Sequence, residues 1–138
     1  MHPNSTSGFR EIAHTADWEL DVWAPNLLIL LEQAAIGLYA LTTAQISPRP
    51  RISRHITLQY IEPESLLIDF LNELLYLAES EGLIFDNFEL QVDAGELHAR
   101  LLGAPFASMD KEIKAATYHN LDIAETDRGL LANIVFDV

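Results

Sequence analysis

Cysteine is absent from this 138-residue chain, and cations are scarce, with eight Lys plus Arg against 21 Asp plus Glu. The first absence removes disulfides, thiolate chemistry and zinc sites built on sulfur. It accords with a reducing, cytoplasmic setting. The second gives a formal net charge of −13, a field that repels phosphate backbones, because nucleic-acid affinity rests largely on cations that release counterions. Direct contact with RNA or DNA is therefore not expected; a basic protein partner or a cation is. Six scattered glycines form no phosphate-cradling loop, and no Gly-x-Ser-x-Gly or paired metal-binding histidines occur. Long apolar runs are missing too. The longest, residues 27–31, falls far short of the roughly 20 residues a membrane helix needs. The opening MHPNSTSG has neither the basic start nor the apolar stretch of a signal peptide. Residues 1–8 read as a flexible lead-in and residues 9–138 as a single domain.

What is present is an ordinary globular composition, 49% apolar and 21% charged, patterned into elements. Residues 18–23 alternate, with Trp18, Leu20 and Val22 on one side and Glu19, Asp21 and Trp23 on the other, as in a half-buried strand. Pro25 and Asn26 open a helix to about Leu41. Its core stripe is Leu27, Leu31, Ala34, Leu38 and Leu41. Leu28, Ile29, Leu30 and Ile36 leave only a narrow polar face, so this helix is either covered on a second side or offers an apolar patch to a partner. Residues 45–54 (QISPRPRISR) read as a loop, and residues 55–60 as a strand. Pro63 starts a second helix with Glu62 and Glu64 against its positive end. Leu67, Phe70, Leu71, Leu74, Leu77 and Ala78 form its buried face, Asp69, Asn72, Glu73 and Glu79 its wet one. Gly82 ends it as a left-handed cap.

Strands follow. Residues 88–92 and 97–101 pair as a hairpin about the turn 93–96, a loop spans 103–112, and a long strand covers 113–124. Residues 126–129 turn into a final strand, 130–138. The order β-α-β-α-β-β-β-β implies an α+β fold, a mostly antiparallel sheet arrangement packed with two helices, built from duplicated strand–helix–strand–strand modules.

Several residues could carry chemistry. The string His14-Thr15-Ala16-Asp17 precedes the first predicted strand, and Asp137 sits beside Val138 at the other end of the sequence. If those margins meet, Asp17, Asp137 and the carboxylate of Val138 form an oxygen-rich pocket. Clustered carboxylates repel unless neutralised, and a hard divalent cation, calcium or magnesium, is the natural partner. On spacing alone, turn or capping hydrogen bonds by Asp17 and His14 are the better explanation of the same residues. Lys114 opens the string KAATYH, where it is a counter-ion to the pocket, a charge offered to a partner, or an edge lysine that deters aggregation. Tyr118 and His119 are expected on opposite faces. Two other readings stay open: a metal-dependent phosphoester hydrolase with Asp17 and Asp137 on the ion and His14 as base, and a binding module that uses the apolar first helix.

Taken together, HTADWELDVWAPNLLILLEQAAIGLYALT, SLLIDFLNELLYLAESEGLIF, EIKAATYHNLDI and the closing IVFDV resemble the archease family over nearly the whole chain beyond Gly8. The resemblance implies the doubled strand–helix–strand–strand fold and no catalysis of its own. It implies a partner, the RtcB-type RNA ligase, which joins RNA ends bearing a 2′,3′-cyclic phosphate or 3′-phosphate to a 5′-hydroxyl in tRNA splicing or RNA repair. The archease promotes guanylylation of that ligase and its repeated turnover; the GTP and manganese belong to the ligase. A divalent-metal site (calcium, magnesium or manganese) then maps to Asp17, Asp137 and the Val138 carboxylate, and Lys114 matches the lysine of the family string. Ala13 stands where many members carry an aspartate.

Overall fold

The computed structural model describes residues 6–12 and 18–138. Among these lie strands β1 (Gly8–Ile12), β2 (Trp18–Ala24), β3 (Gln45–Ile46), β4 (Ile52–Gln59), β5 (Leu83–Asp93), β6 (Glu96–Ser108), β7 (Ala115–Thr117), β8 (Ile123–Thr126) and β9 (Gly129–Asp137). Helix α1 (Leu27–Thr42) follows β2, and α2 (Pro63–Glu81) follows β4. All strand pairings are antiparallel, so the α+β class expected from the periodicities holds.

The strands divide into two sheets. One runs β1-β2-β9-β7 with β8 also on β9; the other joins β3, β4 and β5 to β6. The modules are nested rather than tandem. In β4-α2-β5-β6 the first and second strands both pair with the last. The unit β2-α1-β8-β9 repeats this order, β2 and β8 both pairing with β9, with the other module inserted after α1. Nesting joins the N-terminal strands to the C-terminal one, and so assembles the site from the two margins of the sequence.

Each helix touches both sheets, and one core cluster joins the helices to the two sheets, with Leu20, Leu31, Leu67, Phe70, Leu101 and Phe136 completely buried. The start of α1 is fixed by Asn26, whose side chain accepts from the Ile29 amide at 3.0 Å, satisfying a first-turn donor. Pro63 opens α2, and Gly82 ends it at φ 69°, as expected. The second side of α1 is largely covered, since Leu30 joins Leu31 at 0% exposure; only Ile29 and Ile36 remain at 36% and 40%.

Several boundaries differ from the sequence reading. Strand β1 starts at Gly8, inside the stretch read as a lead-in, and Arg10-Glu11 breaks the alternation that would have announced it. It is held by pairing to β2 and by Arg10, which donates to Asp21 at 2.8 Å, while Phe9 packs on the core. The stretch 45–54 is loop only in its middle, for β3 and the start of β4 claim its ends. Strand β6 runs on to Ser108, where a loop was expected from residue 103. Gly103 marks a close approach and not a turn: a Cβ there would lie 1.9 Å from the Ile84 carbonyl oxygen, opposite the irregularity at Phe85/Asn87. The long strand expected over 113–124 is broken into β7 and β8, because Asn120 takes a left-handed conformation (φ 54°) and the Leu121 amide turns back to the Tyr118 carbonyl at 3.0 Å.

Candidate functional site

Strand β9 is the axis of the site. Trp18, at the start of β2, pairs with Phe136, and on the other side Ala116 of β7 pairs with the same Phe136. Ala115 pairs with Asp137, and the Lys114 amide donates to the Asp137 carbonyl at 2.8 Å. Thus the KAATYH string and the closing Asp137 are hydrogen-bonded neighbours, with the first residue after HTAD one strand away. Phe136 anchors this end, being wholly buried. Asp137 and Val138 project to solvent, Val138 at 45% exposure.

The side chains stand as follows. Lys114 is exposed, one residue ahead of β7 and not inside a strand. Tyr118 and His119 do not occupy opposite faces of a strand; both lie in the turn after β7 and both are exposed. Slight desolvation, then the nearby carboxylates of Asp69 and Glu62, raise the Tyr118 pKa. A second lysine sits at this end: Lys111 Nζ is 5.2 Å from the centre of the Trp18 ring, a cation–π contact, and its amide donates to the Thr42 carbonyl. Sequence reasoning placed Lys111 in a loop, and its role depends on a contact across the fold that no local pattern signals. His14 and Asp17 lie outside the described residues.

Sequence reasoning also missed Asn72. Assigned to the wet face of α2, it is part-buried against β7, where its Oδ1 accepts from the Ala116 amide at 2.7 Å and its Nδ2 donates to the Ala116 carbonyl at 3.2 Å. Glu64, earlier on α2, accepts from the Ile123 amide at 3.2 Å. The only local hint was an uncharged amide among the carboxylates Asp69, Glu73 and Glu79 of the same face.

The donor chemistry bears on a metal. The Asp137 side chain offers oxygen alone, which suits a hard cation in kind. Among the described residues, no group of three or more His, Cys, Asp or Glu could hold an ion, so Asp137 needs further ligands. The candidates named from the sequence, Asp17 and His14, fall outside the described residues. The larger concavities lie elsewhere. One of about 700 Å³ lies between the start of α2 and the turn at 94–96, one of about 620 Å³ on the open face of the second sheet by His55, His98 and Arg100, and one of about 430 Å³ between α1, α2 and residues 109–113. None of the three is lined by Lys114 or Asp137. No helix among the described residues is long and apolar enough to cross a membrane.

With this geometry in place, comparison with known proteins is informative. Residues 9–138 match the model of the Archease protein family (MTH1598/TM1083). An Archaeoglobus fulgidus protein archease is 34% identical, the match covering 94% of this chain and 98% of that one. A Methanosarcina acetivorans protein archease is 29% identical, with 99% of each chain covered. Among solved structures, a Thermotoga maritima archease described as a possible chaperone superposes with a TM-score of 0.70 at 24% identity, covering 94% of this chain and 96% of its own. Methanobacterium thermoautotrophicum protein 1598 superposes with a TM-score of 0.71 at 25% identity, covering 95% and 99%.

Proposed function

Because this chain belongs to the archease family, we propose that it is a non-catalytic accessory protein that activates an RtcB-type RNA ligase by direct contact, in tRNA splicing or RNA repair. The observation that carries this reading is the hydrogen-bonded union of KAATYH with Asp137 at one sheet end, within a chain that matches the family over residues 9–138. The acidic surface favours a basic partner and steers its approach. Activation follows if the protein binds the GTP-accepting conformation of the ligase more tightly than the others, since only such differential affinity shifts a population. In this reading the ligase supplies the active site, the GTP and the manganese.

We further infer a divalent cation, calcium, magnesium or manganese, held by Asp17, Asp137 and the Val138 carboxylate. It would offset their mutual repulsion and fix the end of β9 beside Lys114. Support comes from the register, in which Trp18, the residue after Asp17, faces Phe136, the residue before Asp137. Lys114 is in this account a charge offered to the ligase, and His14 a neighbour that orients the corner. The hydrolase alternative has no observation in its favour.

The test is guanylylation of a purified RtcB-type ligase, with and without this protein, by labelled GTP. Acceleration by the wild type, with most of the gain lost in Asp137→Ala and Lys114→Ala, supports the reading. Equal rates with and without the protein would remove it.

A further inference from the structure

Helix α2 takes the place of a strand along the outer edge of β7 and β8. Among the described residues, each of these short strands has β9 as its only strand neighbour, so the other edge would present bare N–H and C=O groups. The Asn72 side chain satisfies both groups of Ala116, at 2.7 and 3.2 Å. A carboxamide can do so because it carries one acceptor and one donor, as a peptide group does. About two helical turns earlier, Glu64 holds the Ile123 amide at 3.2 Å. From the β9 side, Lys114 N–H donates to the Asp137 carbonyl at 2.8 Å and Thr117 Oγ1 to the Val135 carbonyl at 2.9 Å. The backbone between Lys114 and Ile123 is thereby gripped from two directions. The side chains of Lys114, Tyr118 and His119 nevertheless stay exposed.

A fixed backbone that carries exposed side chains, with His119 Nε2 already paired to Asn120 Nδ2 at 3.3 Å, is pre-organised for contact, because little ordering remains to be done on binding. We propose that Asn72 and Glu64 are positioning residues for a partner-contact surface formed by Lys114, Tyr118 and His119. The occupant is a predominantly basic protein surface with a carboxylate to meet Lys114: the chain carries a net charge of −13, and the Tyr118 ring beside the carboxylates of Asp69 and Glu62 suits an arginine from the partner. That this surface belongs to the ligase rests on the function proposed above; the clamp itself does not.

The test uses the full chain carrying Asn72→Leu, Asn72→Asp, Glu64→Ala or Glu64→Gln. Asn72→Leu removes both hydrogen bonds at similar volume, while Asn72→Asp keeps the acceptor for the Ala116 amide. Native-state hydrogen exchange at Ala116 should quicken up to about tenfold in Asn72→Leu, the worth of one part-buried hydrogen bond. The concentration needed for half-maximal ligase activation should rise by a similar factor while the plateau stays unchanged. Asn72→Asp should restore part of both, since the Ala116 amide keeps its acceptor while the Ala116 carbonyl faces a carboxylate oxygen in place of the donor. If Asn72→Leu fails to fold, Glu64→Ala, with Glu64→Gln as its conservative partner, poses the same question at the Ile123 amide. Unchanged exchange overturns the clamp, and faster exchange with an unchanged half-maximal concentration overturns its role in contact. If the wild type activates no ligase, the ligase reading fails and the contact surface falls with it, while exchange at Ala116 still decides the clamp.

Discussion

Trp18 lies directly across the ladder from Phe136, so the residue that follows HTAD faces the residue that precedes the closing aspartate. Nested topology makes this possible, because β2 and β9 are the first and last strands of one module whose interior contains the whole of the other. The functional account draws on this pairing.

If Asp137 and Asp17 grip one cation, calorimetric titration with calcium and with manganese should show a single site. Asp137→Asn and Asp17→Asn should each weaken it by about tenfold or more, equivalent to about 1.4 kcal/mol. Saturating metal should also raise the melting temperature of the wild type, since a ligand that binds only the folded state stabilises it. Equal affinity in wild type and Asp137→Asn would remove the metal site.

Gly103 is the most constrained glycine of the second sheet, since its absent Cβ would sit 1.9 Å from the Ile84 carbonyl oxygen and 2.8 Å from the Phe85 Cα. Backbone must move to admit even a methyl group. Gly103→Ala is expected to cost about 3 kcal/mol, the upper range for overpacking, measured as a lower denaturation midpoint with an unchanged slope.

The Tyr39 hydroxyl is buried without a well-formed hydrogen bond among the described residues. Desolvation pushes its pKa far above the ordinary tyrosine value, opposed only in part by the Phe85 backbone. The unfolded chain therefore loses this proton at lower pH than the folded one. The stabilisation is complete below the unfolded value of about 10 and is lost as pH rises from there toward the higher folded pKa. Tyr39→Phe should flatten this alkaline decline. At neutral pH the same change should be neutral or stabilising by up to about 1 kcal/mol, since it deletes a buried hydroxyl that lacks a well-formed hydrogen bond. Urea titrations at neutral and alkaline pH read both effects.

On α1, Leu30 is fully buried whereas Ile36 is 40% exposed. Leu30→Ala should cost about 2–5 kcal/mol, and Ile36→Glu less than about 1 kcal/mol. A dimer that dissociates on Ile36→Glu or Ile29→Glu would instead revive the apolar helix as an association surface, a result that equilibrium sedimentation would reveal.

Elements with a strong period were legible in the sequence: β2 from its strict alternation, α2 from its stripe and its Pro63 and Gly82 ends, and the hairpin turns at 93–96 and 126–129. Elements that owe their existence to distant partners were not. Strand β1 depends on β2 and on the Arg10–Asp21 pair, and Gly103 reads locally as a turn although it serves close packing. The site was legible only as a list. Lys114 and Asp137 stand out in the sequence, but their union needs β7 against β9. Asn72 was hidden because a helix side chain that imitates a strand leaves no periodic trace.

The central claim is that this protein acts on a ligase and not on RNA itself. The most direct measurement counts the RNA joins made per RtcB-type ligase molecule, with substrate in large excess, in the presence and absence of this chain. The account predicts that the count climbs well past one only when the chain is present, and that Lys114→Ala returns it toward one. A count that is the same with and without the chain would contradict it.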